Sequence, residues 1–206
     1  MFLAALYLRC NSVPLIFSSR TLRYRLSPSS RISRFVSSKH LRQGRLLSTD
    51  LLCTVHRLSS PPADGRFRAG AAPARFAAGK PSRPELIAAT VANLLDWLAA
   101  DSGRGLHPVE RAALAFPRLL EIAPFERGNF RTAHLLLSFF AFTEGYPPFF
   151  LLFEEAEVVR EEIERAMVFD TAPLMTRFAE ALGRSLDKCL AAINASPAVP
   201  SAGRAS

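Results

Sequence analysis

The sequence predicts an all-α domain of about six or seven helices. Three observations carry this. Apolar residues recur in helical register over long stretches, as with Ile87, Val91, Leu94, Leu95 and Leu98, which lie at i, i+4, i+7, i+8 and i+11 and share one face. The segment from Phe130 to Phe142 is apolar nearly all round, with Leu135, Leu136, Leu137, Phe139, Phe140 and Phe142 and no clean polar face; such a helix belongs in the middle of a core. Proline and glycine clusters then separate one periodic stretch from the next. With 49% hydrophobic residues and 16 Phe in 206 residues, the chain can build one core and suits a single domain with extensions.

Segment 1–50 is expected to stand outside that domain, as a disordered or leader segment. Residues 1–49 hold nine Lys/Arg, many Ser and no Asp or Glu, behind an apolar start from Met1 to Leu8. This composition reads as an organelle presequence, as a weak secretory signal interrupted early by Arg9, as sequence upstream of a native start, or as a basic arm for nucleic acid or acidic lipid. Aromatic residues interleaved with the basic ones are sparse there, at Tyr24 and Phe35, so no specific nucleic-acid partner is expected. Residues 1–84 carry 15 Lys/Arg against Asp50 and Asp64, while residues 85–206 carry 11 against 16 acids. The net charge of +8 therefore belongs to the N-terminal part, and the helical region is mildly acidic.

Leu51 to Leu58 reads as a short helix with Ser48, Thr49 or Asp50 as its cap, and His56 in it as a structural residue. Ser59 to Arg83 reads as irregular, with Pro61-Pro62 and several Gly and Ala. Ser82-Arg83-Pro84-Glu85 has capping-box spacing ahead of the Glu85–Leu98 helix, with Trp97 off its apolar face. The stretch from Asp101 to Gly105 ends that helix. His107-Pro108 opens the next, with His107 as a cap and Ala112, Ala113, Phe116, Leu119 and Leu120 inward. Pro117 inside it should cost ~3 kcal/mol or kink it.

Ala123 to Asn129 reads as a loop, because Pro124 cannot sit inside a helix and Gly128-Asn129 is a permissive turn pair. This loop opens directly onto the apolar helix. Free N–H groups and the positive dipole end at Gly128 and Asn129 favour a phosphate or other anion there, with Arg131 placed to pair with it. That helix is shorter than the roughly 20 apolar residues of a membrane span, so none is expected. Beyond Pro147-Pro148, Val158, Ile163 and Met167 are expected to face the core, with Glu161 and Arg165 paired. Asp170 to Pro173 caps a last helix whose inward register is Leu174, Phe178, Leu182, Leu186, Cys189 and Leu190. The domain is expected to span 51–190, and residues 191–206 to form a flexible tail. Cys10, Cys53 and Cys189 form no C-x-x-C pair, which points to a reducing compartment and a cytoplasmic protein, or an organelle-targeted one if 1–49 is a true presequence.

At Ala123 to His134, APFERGNFRTAH resembles the Fic (Fido) signature HPF-x-[D/E]-G-N-[G/K]-R-[T/S]-x-R. The Gly-Tyr-Pro-Pro after the apolar helix, Val55-His56-Arg57 with Gly65-Arg66-Phe67-Arg68, and the LLDWL ending of the Glu85–Leu98 helix are similar to that family too. The resemblance covers roughly Leu51 to Leu190. It implies a Fic-like helical domain, a small β-hairpin flap within 59–83, and AMP transfer from ATP to a Ser, Thr or Tyr hydroxyl of a target protein. It also implies that Gly128 shapes the loop while Asn129 and Arg131 hold phosphates.

The departures from the signature bear on function. Ala123 stands at the position of the family's general base, the loss of which costs about 10²–10⁴ in rate. Arg127 stands where an acid holds Mg²⁺, so the ion is not expected to be held in the family manner. Glu126 lies one residue early, Phe130 replaces a glycine, and His134 replaces the closing arginine. Pro124, Phe125, Gly128, Asn129, Arg131 and Thr132 survive. The family's inhibitory motif, [S/T]-x-x-x-E-[G/N], has no match in the N-terminal arm, and Thr176 to Glu180 fails it at Ala181. The expectation is an impaired enzyme with at most residual ATP or phosphate binding, no catalytic residue in the motif and no metal ligand. The alternative is a protein-interaction module that uses the fold alone.

Overall fold

A computed structural model describes residues 48–194 except 61–63, 73–74, 77 and 150, together with a short antiparallel pair, β1 (Leu15–Ile16) and β2 (Arg23–Tyr24). The rest of the basic N-terminal segment and the tail from 195 lie outside the described residues. Seven α-helices follow: α1 (Thr49–Ser59), α2 (Ile87–Ala99), α3 (Asp101–Arg104), α4 (Pro108–Ile122), α5 (Asn129–Thr143), α6 (Ala156–Met167) and α7 (Ala172–Asn194). None is long and apolar enough to cross a membrane. The domain is all-α, and no described residue between 59 and 83 lies in a strand, so the expected hairpin flap is not formed by them.

Local chemistry sets the helix ends. Ser48 caps α1, its hydroxyl accepting from the Leu51 N–H at 3.2 Å. His107 caps α4 through Nδ1, which accepts from Val109 N–H at 3.2 Å, while Glu110 accepts from the His107 N–H at 3.0 Å. The capping box expected before α2 does not form. Arg83 takes the cap position without a side-chain bond, Pro84–Leu86 makes a 3₁₀ turn, and the Ser82 carbonyl is taken by Arg68. Helix α4 runs unbroken through Pro117. Proline there only leaves the Ala113 carbonyl without its usual donor.

Helix α5 lies between α1 and α4, burying Ala133, Leu136, Leu137 and Ala141. The side chains of Phe139, Phe140 and Phe142 lie outside the described set. A run of rings extends the core: Phe130 on Phe116 at 5.2 Å, Phe116 on Phe178 at 5.5 Å, and Phe178 on Phe149 at 5.4 Å. Each fully buried Phe contributes about 1.5–3 kcal/mol.

Two registers differ from expectation. In α6 the buried face is Val159, Ile163, Ala166 and Met167, and Val158 is 46% exposed. Val159 stands four residues before Ile163 and shares its face, whereas Val158 stands five before it. Arg165 turns to Asp170 at 2.6 Å instead of Glu161. In α7, Leu174, Phe178 and Leu182 are buried, but Leu186 and Leu190 are exposed, because the helix runs past the end of the core. Its buried half is held by Arg177, which pairs with Glu155, Glu162 and Glu180 at 3.0–3.1 Å.

Candidate functional site

The loop between α4 and α5 is built on two clamps. The first is Arg68, only 4% exposed. Its Nε donates to the Ala123 carbonyl at 2.7 Å and Nη1 to the Gly70 carbonyl at 2.6 Å; Nη2 donates to the carbonyls of Ser82 and Ile122. Its own N–H donates to the Pro124 carbonyl at 2.9 Å. All four side-chain acceptors are main-chain oxygens. Two of them end α4, where carbonyls lack helical donors and the dipole is negative.

The second clamp is Asn129. Its Oδ1 accepts from the Phe125 N–H at 2.9 Å and its Nδ2 donates to the Phe125 carbonyl at 2.7 Å. The Phe125 ring lies flat on His56, with centroids 3.7 Å apart and an interplanar angle of 5°. His56 Nε2 donates to the Arg127 carbonyl at 3.0 Å, so His56 supports the loop as the structural residue expected. A carbonyl acceptor fixes the proton on Nε2 and leaves Nδ1 buried without a partner.

Gly128 has φ +75°, and a Cβ on it would stand 2.3 Å from the Ser60 hydroxyl. Only glycine fits both the left-handed backbone and the approach of α1. The Gly128 carbonyl accepts from Thr132 Oγ1 at 3.0 Å, which opens α5. Arg131 donates to the Ser59 carbonyl at 2.8 Å, tying α5 to the end of α1.

Gly128, Asn129 and Arg131 thus meet within the first turn of α5, whose leading N–H groups have no helical acceptors. The Asn129 amide is engaged by Phe125, and Arg131 has a bond to Ser59. Ala123 is buried with φ +46° and ψ +60°, a left-handed conformation. Glu126 and Arg127 are exposed, and Phe130 is 40% exposed at the loop's mouth. The His134 ring is engaged by the segment after α5: its Nε2 donates to the Phe149 carbonyl at 2.8 Å. Among the described residues, no three His, Cys, Asp or Glu side chains gather to ligate a metal. Sequence reasoning did not assign Arg68 its role, because an arginine in a basic stretch reads as a solvated charge. The one available signal was its place in Gly65-Arg66-Phe67-Arg68.

Two outcomes follow from these contacts. Arg68→Lys should destabilise the domain by about 3 kcal/mol in urea unfolding, since one ammonium cannot reach carbonyls spread around a planar fork. Burial lowers the His56 and His134 pKa values below 6.5. Between those lowered values and 6.5 the unfolded chain therefore binds more protons than the folded one. Their contribution to stability is complete above the unfolded value and is lost as pH falls through the window below it. Thermal melts should show the midpoint falling below about pH 6.5, with a shallower fall in His56→Gln.

The Fic/DOC family model matches residues 46–141. A relative named protein adenylyltransferase Fic, from Nematostella vectensis, is 28% identical over 169 residues, 80% of this chain and 39% of that one. Protein adenylyltransferase fic-1 of Caenorhabditis briggsae is 32% identical over 116 residues, 56% of this chain and 23% of that one. The chain thus spans well under half the length of these relatives. Among solved structures, Fic-1 from C. elegans superposes with a TM-score of 0.67 at 27% identity, covering 80% of this chain and 49% of that one. A Fic-domain-containing signaling protein from Bacteroides thetaiotaomicron has the same fold, with a TM-score of 0.66 at 22% identity over 93% of this chain and 86% of that one. With the loop, its two clamps and the apolar helix behind it in place, residues 46–141 match the Fic/DOC family, and the fold is that of the solved Fic structures.

Proposed function

We propose that this chain is a catalytically impaired Fic protein that binds phosphate or ATP weakly at the start of α5 and transfers AMP, if at all, far below the family's rate. The observation that carries this reading is Ala123. It stands at the point where the loop leaves α4, buried and left-handed, in the place of the histidine that would take the target hydroxyl's proton. A methyl group has no lone pair, and about 10²–10⁴ in rate goes with the base.

The donor set does not suit Mg²⁺ in the family manner. Arg127 is a cation at the acidic position, and Glu126, its exposed neighbour, is displaced by one residue along the loop. What remains is the backbone at Gly128 and Asn129, the dipole of α5 and the Arg131 guanidinium, which together suit an anion. The relatives' names, protein adenylyltransferase, point to a protein as the target of any residual transfer. Cys53 and Cys189 form no disulfide among the described residues, in keeping with the reducing, cytoplasmic setting we infer.

A second reading is favoured by a separate observation. Asn129 is bonded to Phe125 and Arg131 to Ser59, so the surviving motif residues serve the fold whether or not a ligand is present. On that reading the domain is an interaction module.

An ATP titration of the full chain, followed by Trp97 fluorescence or calorimetry with and without Mg²⁺, separates the two. The impaired-enzyme reading expects saturation with a Kd on the order of 0.1–1 mM, insensitive to chelator and weakened about tenfold in Arg131→Ala that still melts cooperatively. No saturation up to about 10 mM ATP leaves only the interaction module. Tight binding that requires Mg²⁺ would sink the account of Arg127.

A further inference from the structure

Phe169, in the turn between α6 and α7, is 84% exposed and has φ +72°. The turn closes through Asp170 N–H to the Arg165 carbonyl at 3.0 Å and Phe169 N–H to the Ala166 carbonyl at 3.1 Å. Glycine is favoured at the left-handed position of such a helix-ending turn, and an L side chain there is strained. Burial does not offset that strain at Phe169. Its ring instead meets a cation on α4.

The Arg118 guanidinium lies 4.7 Å from the ring centroid, within the ~6 Å over which the face of an aromatic ring attracts a cation. Glu121 holds Arg118 on its own helix: Nη1 donates to Oε2 at 2.6 Å, and both side chains are partly buried. Glu121 lies in the last turn of α4, two residues before Ala123. The end of α6 also touches the 70–82 loop. Met167 is buried there, and a Cβ on Gly79 would lie 3.1 Å from its sulfur. The turn is therefore tied to both parts that Arg68 joins, the end of α4 and the loop whose Gly70 and Ser82 carbonyls Arg68 holds.

We propose that Phe169 is a positioning residue for the α4–α5 loop. Its ring, acting through Arg118 and Glu121, braces the last turn of α4 against the end of α6. The brace holds the point at which Ala123 leaves the helix, and with it the start of the loop. Calling that loop a phosphate site rests on the function proposed above. The brace itself does not, because it is made by side chains outside the loop and is read without ligand.

The test is amide hydrogen exchange on the full chain. The reporters are the Ala123 N–H, bonded to the Leu119 carbonyl at 3.1 Å, and the Phe125 N–H, bonded to Asn129 Oδ1 at 2.9 Å. The amides of Leu136 and Leu137, buried in α5, are the reference. Phe169→Leu keeps the left-handed strain and removes the ring. It should speed exchange at the reporters about two- to fivefold relative to the reference, the span of one partly exposed cation–π contact. Phe169→Tyr keeps a ring and should exchange as the parent does. Arg118→Met should speed the reporters at least as much, and adding Phe169→Leu to it should change nothing further, because both act through one contact. In ATP titrations Phe169→Leu should raise Kd by about the same factor, and Phe169→Tyr should not. A parent that binds no ATP removes the phosphate reading, and the exchange alone then decides the brace. Four results would overturn the proposal: reporters unmoved in Phe169→Leu, an equal rise in Phe169→Tyr, additive effects of the two substitutions, or a rise spread evenly over reporters and reference, which marks a general loss of stability.

Discussion

A buried guanidinium holds this domain's candidate site together. Arg68 is surrounded by carbonyls, and its side-chain donors join the end of α4 to both ends of the 70–82 loop. A cation removed from water survives only where oxygens replace its hydration. Here the last carbonyls of α4, negative by their place at a helix C-terminus, supply part of that replacement. The position of Ala123, and so of everything that follows it in the loop, depends on this cage. Asn129 then closes the far side, and the flat stack of His56 on Phe125 fixes the middle.

This frame gives the loop its shape, and on the function we propose that shape persists without the family's reacting groups. Pro124, Phe125, Gly128, Asn129 and Thr132 all make contacts that the fold needs: a main-chain acceptor, a ring stack, a close approach to Ser60, a clamp and a helix start. Each would be retained for architecture alone. Of the four altered positions, Phe130 and His134 make fold contacts of their own, to Phe116 and the Phe149 carbonyl, while Ala123 and Arg127 supply main-chain carbonyls to Arg68 and His56. Ala123 in fact sits in the left-handed region at a cost of roughly 1–2 kcal/mol for an L-residue. Histidine is among the residue types enriched there, so the backbone remains better suited to the lost residue than to the present one.

Much of this was legible in the sequence, and the failures have physical causes. The all-α class, the cap at His107 and the loop at 123–128 followed from period and turn chemistry, which are local. The Val158 register failed because neighbouring valines straddle the edge of the face, and packing decides between them. Leu186 and Leu190 kept a correct helical period while the core ended beneath them. The capping box at Ser82 does not form because the first turn begins one residue later, with Arg83 at the cap position. The burial of Arg68 left no trace beyond its place in Gly65-Arg66-Phe67-Arg68, since its acceptors are main-chain oxygens that do not show in residue identity. Likewise Asn129 and Arg131 could be placed at the helix start, but their bonds to Phe125 and Ser59 could not.

The central proposal is that the scaffold is sound and only the family's reacting groups are missing. The most direct measurement is AMP transfer from labelled ATP to protein, comparing the parent chain with a variant carrying Ala123→His, Arg127→Glu, Phe130→Gly and His134→Arg. The folded variant is expected to show measurable, Mg²⁺-dependent transfer, and the parent to transfer at least about 10²-fold more slowly. Transfer by the parent as fast as by the variant, or a cooperatively folded variant with none, would contradict this.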